Sequence, residues 1–112
     1  SDLSVSEKYV LLFWSSTCSH CLKEVPELHK ELKDRETIQV LAIGLEDDDI
    51  SWKDESAKLG GFTHILGLGK WENEYVFLYD VHQTPTYFVL DSQKKIIAKP
   101  SSLEELLSVL KN

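Results

Sequence analysis

The run Lys8–Trp14 (KYVLLFW) is separated by only Ser15-Ser16-Thr17 from Cys18-Ser19-His20-Cys21, and that tetrapeptide opens a segment of helical period. A continuous apolar run of strand-forming residues bounded by polar segments is the pattern of a strand buried on both faces. From Cys18 to about Lys33, Cys21, Leu22, Val25, Leu28 and Leu32 recur at steps of three and four, which predicts one helix with a buried stripe. Pro26 lies inside it, where a kink is expected. Thr37–Leu45 (TIQVLAIGL) is a second strand. Strand, helix and strand in that order imply a parallel pair with a right-handed crossover.

The rest of the chain extends this frame. The acidic run Glu46–Asp49 is expected to leave the sheet as a solvated loop, followed by a helix over Ile50–Leu59 with Asp49 or Ser51 near its cap and Gly60-Gly61 as its stop. His64–Leu66 is a candidate short edge strand, and Trp71–Tyr79 a second short helix. Thr86–Asp91 and Lys95–Ala98, separated by Ser92-Gln93-Lys94, read as a hairpin. A final helix follows, with Ser101 or Ser102 as cap, Glu104 and Glu105 in its first turn, and Leu103, Leu106, Leu107 and Leu110 as its stripe. The order βαβ, a helical middle, then ββα defines an α/β sandwich with a mixed sheet. At 112 residues this is one domain, 1–112.

Nineteen acidic against twelve basic side chains give a net charge of -7, which argues against a nucleic-acid partner or an anionic membrane surface. The longest apolar run is far below the roughly 20 residues that span a bilayer, so no membrane insertion by this segment is expected. Two cysteines three apart suit a redox pair or half a metal site, and do not suit the multi-bridge framework of a small secreted scaffold.

A thiol at a helix N-terminus faces unpaired backbone N–H groups and the positive end of the helix dipole, which favour thiolate. Cys18 is therefore the expected nucleophile, and Cys21, one turn on and facing the core, the group that resolves a mixed disulfide. An imidazolium or extra donor at His20 would favour the reduced pair and make the disulfide more oxidising. Thr84-Pro85 enters a strand, a natural place for a cis peptide. A cis-Pro85 facing Cys18 would leave the Thr84 backbone free to pair with an extended substrate segment.

With VLLFWSSTCSHC leading into the helix, C-L-K-E-V-P-E-L continuing it, VLAIGLEDD as central strand, and Tyr79-Asp80-Val81 passing through Thr84-Pro85-Thr86 to FVLD, the chain resembles the thioredoxin superfamily. Within it, the likeness is to the TlpA/ResA-like branch of extracytoplasmic thiol–disulfide oxidoreductases, and it runs from about Lys8 to Ala98. The resemblance implies a thioredoxin-like three-layer α/β/α sandwich, a cis Pro85, and disulfide exchange or reduction in partner proteins without an organic cofactor. It also implies an upstream thiol–disulfide electron partner and a periplasmic or cell-surface setting.

The departures are specific. Thr17 stands where the family usually has Trp, and Leu12 occupies the place of thioredoxin's buried strand aspartate. In the branch a glutamate after the central strand can serve as proton relay, for which Glu46 and Asp47 are the candidates. Lys94-Lys95 replaces the usual hairpin glycine. The first core strand lies close to the start of the sequence, from which a domain cut from a longer protein is inferred.

Other residues have plainer readings. Trp14, Trp52 and Trp71 are expected as core or groove-lining aromatics, with Trp14 packed beneath the motif, and His29 as an exposed helix residue. His64 and His82 could in principle join Cys18 and Cys21 in a zinc or copper site, but a lone CxxC is weak metal evidence. Three functions thus compete: a disulfide exchanger, more a reductase than an oxidase; a metal-binding domain on the same cysteines; and a redox-inert interaction module.

Overall fold

The computed structural model describes residues 7–111; residues 1–6 and 112 of the expected 1–112 domain lie outside that range. Five strands form one sheet, β1 (Lys8–Trp14), β2 (Ile38–Glu46), β3 (Thr63–Leu68), β4 (Thr86–Leu90) and β5 (Ile96–Ala98), in the order β3-β2-β1-β4-β5. β1 pairs with β2, and β2 with β3, in parallel; β4 is antiparallel to β1 and β5. The sheet is mixed, with the apolar run Lys8–Trp14 at its centre.

Side-chain alternation along the strands builds two cores. Val10, Leu12 and Trp14 of β1, with Val40, Ala42, Tyr87 and Val89, meet α1 (Ser19–Leu32) through Cys21, Val25, Leu28 and Leu32, and α4 (Leu103–Leu110) through Leu106 and Leu110. On the other face Leu11, Phe13, Ile43, Leu45 and Phe88 pack against Val76 of α3 (Glu74–Leu78) and Val81. The result is a three-layer α/β/α sandwich of thioredoxin-like fold. Each fully buried Leu or Val side chain contributes on the order of 1.5–3 kcal/mol, so β1, with Val10, Leu12 and Phe13 at 0% exposure, is its anchor.

α2 (Ile50–Ala57) buries no residue fully and docks through Trp52. Gly44 makes room for that indole: a Cβ there would meet Trp52 Cδ1 at 2.6 Å. At the β4–β5 hairpin Lys94 takes φ 67°, the left-handed conformation for which glycine is the usual residue.

The elements differ from expectation in a few places. α1 runs on through Pro26, and Leu22, expected in its stripe, is 38% exposed because it faces away from the sheet side. The single helix expected over Trp71–Tyr79 is a 3-10 turn, Lys70–Glu72, followed by α3. Asn73 divides them, its side chain capping α3 by accepting from the Tyr75 amide at 3.0 Å. Trp71 is 42% exposed and not part of either core. Glu46 does not leave the sheet: it is the last residue of β2, paired with Leu68 and 2% exposed, and only from Asp47 onward does the acidic run turn to solvent. α2 stops at Ala57, the hairpin strand begins at Ile96, and Ser102 is the residue that caps α4, through the Glu105 amide at 3.1 Å.

Candidate active site

β1, the central strand, ends where the loop Ser15–Thr17 hands the chain to α1. Cys18 is the N-cap of that helix, in extended conformation, and its Sγ accepts a hydrogen bond from the Cys21 amide at 3.1 Å. The thiol takes the role that Ser or Asp usually plays at this position, satisfying one of the helix's unpaired donors. On its other side Cys18 Sγ lies 3.6 Å from the Thr84 carbonyl, and the Thr84–Pro85 bond is cis. Two segments distant in sequence, the start of α1 and Thr84–Pro85, thus meet at one sulfur.

The two cysteines, both free, differ in environment. Burial alone would push the Cys18 thiol up, but hydrogen bonds from the Cys21 and Thr84 side chains and from the Cys21 and His20 amides outweigh it, leaving Cys18 below the ordinary thiol range. Cys21 is 0% exposed. Burial, then its bond to Cys18, pushes it up to about 12. The surroundings of one sulfur favour its thiolate more than usual, while its neighbour is held as thiol.

The loop before Cys18 is fastened from β2. Glu46 Oε2 accepts from the Ser16 amide at 2.7 Å, and Oε1 accepts from Ser16 Oγ at 2.9 Å and Ser15 Oγ at 3.4 Å. Ser16 Oγ is also 2.7 Å from Ser51 Oγ of α2, and the Ser15 carbonyl accepts from the Cys18 amide at 3.1 Å. Asp47, the other relay candidate, is exposed. Where the family tryptophan would stand, Thr17 Oγ1 bonds Ser15 Oγ at 2.9 Å and accepts from Lys70 Nζ at 3.2 Å.

His20 does not turn its imidazole onto Cys18. Its side chain, 75% exposed, lies 3.3 Å from Glu24 one turn along, while its backbone amide is what reaches the sulfur. Glu24 Oε1 in turn accepts from the buried Tyr87 hydroxyl at 2.7 Å. That phenol is pushed up by burial first and then by Glu24. A groove of about 720 Å³ opens beside this chain, lined by His20, Glu24, Thr84, Pro85, Tyr87 and Ser102. Glu24, within the C-L-K-E-V-P-E-L stretch, and Lys70 join the site only in the folded chain. The His20–Glu24 spacing of four was a readable signal for the first; nothing local signals the second.

The four groups of the metal reading do not converge. His64 Nε2 lies 3.0 Å from the Leu59 carbonyl, His82 pairs with Asp80 at 2.8 Å, and among the described residues no three His, Cys, Asp or Glu side chains are grouped to hold an ion. His29, expected free on the surface, is half-buried, with Nε2 2.7 Å from the Gly60 carbonyl and its ring edge-on to Phe62.

A capping thiol with a buried partner, opposite a cis proline on a four-helix, five-stranded sandwich, defines a class of thiol-bearing α/β domains. A family model described as thioredoxin-like matches residues 6–96. Among solved structures the chain is similar to a domain of a possible thiol-disulfide isomerase from Cytophaga hutchinsonii (35% identity, TM-score 0.80, 98% of this chain and 76% of that one). It is also similar to a thiol-disulfide oxidoreductase from Bacteroides fragilis (25% identity, TM-score 0.77, 94% and 80%). StoA from Bacillus subtilis, at 24% identity, shares the fold (TM-score 0.67, 94% and 83%). No curated protein matches the sequence significantly. The chain belongs to the thioredoxin-like family, in keeping with its resemblance to the TlpA/ResA-like branch.

Proposed function

We propose that this domain exchanges disulfides with protein substrates, and that it works mainly as a reductase. The observation that carries the reading is the asymmetry of the two thiols: Cys18, hydrogen-bonded and partly exposed, sits below the ordinary range, and Cys21, buried behind it, well above. Cys18 thiolate attacks a substrate disulfide and forms a mixed disulfide; Cys21 then attacks Cys18, closing the Cys18–Cys21 bond and releasing the substrate as dithiol. Two electrons pass from the domain to the substrate, so an upstream dithiol partner must restore it. Thr84 and Pro85 present an extended substrate segment with backbone to pair with, and the groove beside His20 and Glu24 receives what flanks it.

In this account Glu46 is a positioning residue for the loop that delivers Cys18, and His20 tunes the pair through its amide and its contact with Glu24. No organic cofactor or metal enters the reaction. Among the described residues no helix is long and apolar enough to cross a membrane. The periplasmic or cell-surface setting rests on the branch resemblance. A trapping experiment separates this reading from a redox-inert module: with a disulfide-bonded protein substrate, Cys21→Ser accumulates a covalent adduct through Cys18 and Cys18→Ser forms none. If Cys21→Ser forms no adduct, the exchange reading fails.

A further inference from the structure

Lys70 and the groove lie on opposite sides of Cys18, and the order of the sheet is what separates them. Cys18 follows β1, the central strand; β2 and then β3 lie to one side of it, β4 to the other. Lys70 comes off the end of β3 in a turn where Gly69 takes φ 90° and Lys70 itself φ 48°. A non-glycine residue in that left-handed region is uncommon and persists only where its surroundings hold it. Here Asn73 closes the turn, its side-chain amide donating to the Leu68 carbonyl at 2.8 Å and its backbone amide to the Lys70 carbonyl at 3.1 Å. The turn brings the Lys70 ammonium to 3.2 Å from Thr17 Oγ1, one residue before the nucleophile.

The other side carries the opposite sign. The groove, bounded by α1, the Thr84–Pro85 turn and the start of α4, holds three carboxylates, Glu24, Glu27 and Glu104, against Lys23 and His20. Glu24 is engaged by Tyr87 and His20. Glu27 and Glu104, both exposed, have no ion-pair partner among the described residues, and neither has Lys70. Glu72, two residues beyond Lys70, is exposed and does not pair with it. A net charge of -7 alone would favour any cationic segment. A cation fixed beside the nucleophile, with carboxylates across from it, favours a segment whose charges come in a particular order.

We propose that Lys70 and the groove carboxylates set the substrate class: a disulfide-bonded cysteine in an extended segment, with an acidic residue on the Lys70 side and a basic one on the groove side. This rests on the exchange reading above. A segment paired with the Thr84 backbone runs in one direction, so the residues before and after the attacked cysteine fall on opposite sides of Cys18. At about 3.3 Å per residue, a side chain one to three positions from that cysteine comes level with Lys70 on one side and with the groove on the other. Exposed pairs of this kind add little to stability and more to the choice of partner and the rate of encounter. The chemistry is unchanged: Cys18 thiolate takes one substrate sulfur, Cys21 closes the internal disulfide, and two electrons leave with the substrate as dithiol.

The test uses the reduced domain and two synthetic peptides of identical composition, each with one cysteine and each supplied as its disulfide-linked dimer. One carries Glu before the cysteine and Lys after it; the other carries the reverse. Their equal net charge removes bulk attraction, and the ratio of the two reduction rates on one protein cancels any change in the nucleophile itself. Wild type is expected to reduce one order about fivefold faster than the other at low salt, with the ratio approaching unity in about 1 M salt. Lys70→Gln should lower the ratio by about twofold, and Lys70→Glu combined with Glu27→Lys should reverse the preference. Glu36→Lys, a charge reversal just before β2 at the opposite end of the sheet, should keep the wild-type ratio. Equal rates for the two peptides on wild type, or a preference that the double reversal leaves as it was, overturns the inference while leaving the exchange reading intact. Failure to reduce either peptide overturns both.

Discussion

Glu46 Oε2 accepts a 2.7 Å hydrogen bond from the Ser16 amide, so the last residue of the central parallel strand grips the loop that ends in Cys18. A buried carboxylate on three donors of one short loop fixes that loop's path, and with it the direction in which the Cys18 side chain leaves the helix start. The site is in this sense made by β2 as much as by α1.

Removing that grip should be costly. Glu46→Ala leaves the Ser16 amide without its acceptor inside the fold, at about 1–3 kcal/mol for the buried donor left unsatisfied, while the Ser16 and Ser15 hydroxyls keep Ser51 Oγ and Thr17 Oγ1 as partners. We expect the urea midpoint to fall by an amount equivalent to about 2 kcal/mol, and Cys18 alkylation in the folded protein to slow as the loop loosens. Glu46→Gln, which can keep part of the network, should lie between. A Glu46→Ala protein as stable and as reactive as wild type would show that the loop is held by other contacts.

The lowered Cys18 and raised Cys21 predict opposite behaviour on alkylation with pH. Thiolate forms as pH rises through a thiol's pKa, so Cys18 labelling by iodoacetamide should set in at lower pH than that of an ordinary thiol, and fall away as pH drops further. Cys21, pushed up to about 12, should stay unreactive in the folded protein throughout the neutral range. Mass spectrometry of the singly labelled protein checks which sulfur carries the label.

Gly44 gives a packing prediction. A methyl group there would come within 2.6 Å of Trp52 Cδ1 and 3.4 Å of Glu46 Oε2, so Gly44→Ala must push the indole off the sheet. Overpacking of this kind costs about 1–3 kcal/mol. The expected signature is a lower melting temperature together with a red-shifted, more solvent-exposed Trp signal.

Much of this architecture was legible because the signals were local and periodic. Alternation and continuous apolar runs located β1, β2 and β4; a step of three and four located α1 and α4; and the CxxC at the strand–helix junction located the thiols. What was not legible depends on contacts across the chain. Glu46 reads as the first of four acidic residues, and only the meeting of β2 with the Ser15–Thr17 loop buries it. His29 reads as a surface helix residue until Gly60 and Phe62 come against it. Trp71 reads as core or groove-lining by type, yet it stands on the 3-10 turn Lys70–Glu72 at 42% exposure. Lys94 shows the converse: the missing hairpin glycine changed no topology, since the lysine itself adopts the left-handed turn conformation.

The most direct test of the central claim is a glutathione redox titration of the Cys18/Cys21 pair, read by alkylation mass shift, with Cys21→Ser as the control that cannot close the bond. A single two-electron transition with a midpoint near about −270 mV, the thioredoxin range, is the predicted result. A midpoint near about −120 to −180 mV would contradict the reductase assignment, and a pair that forms no disulfide at any poise would contradict the exchange reading itself.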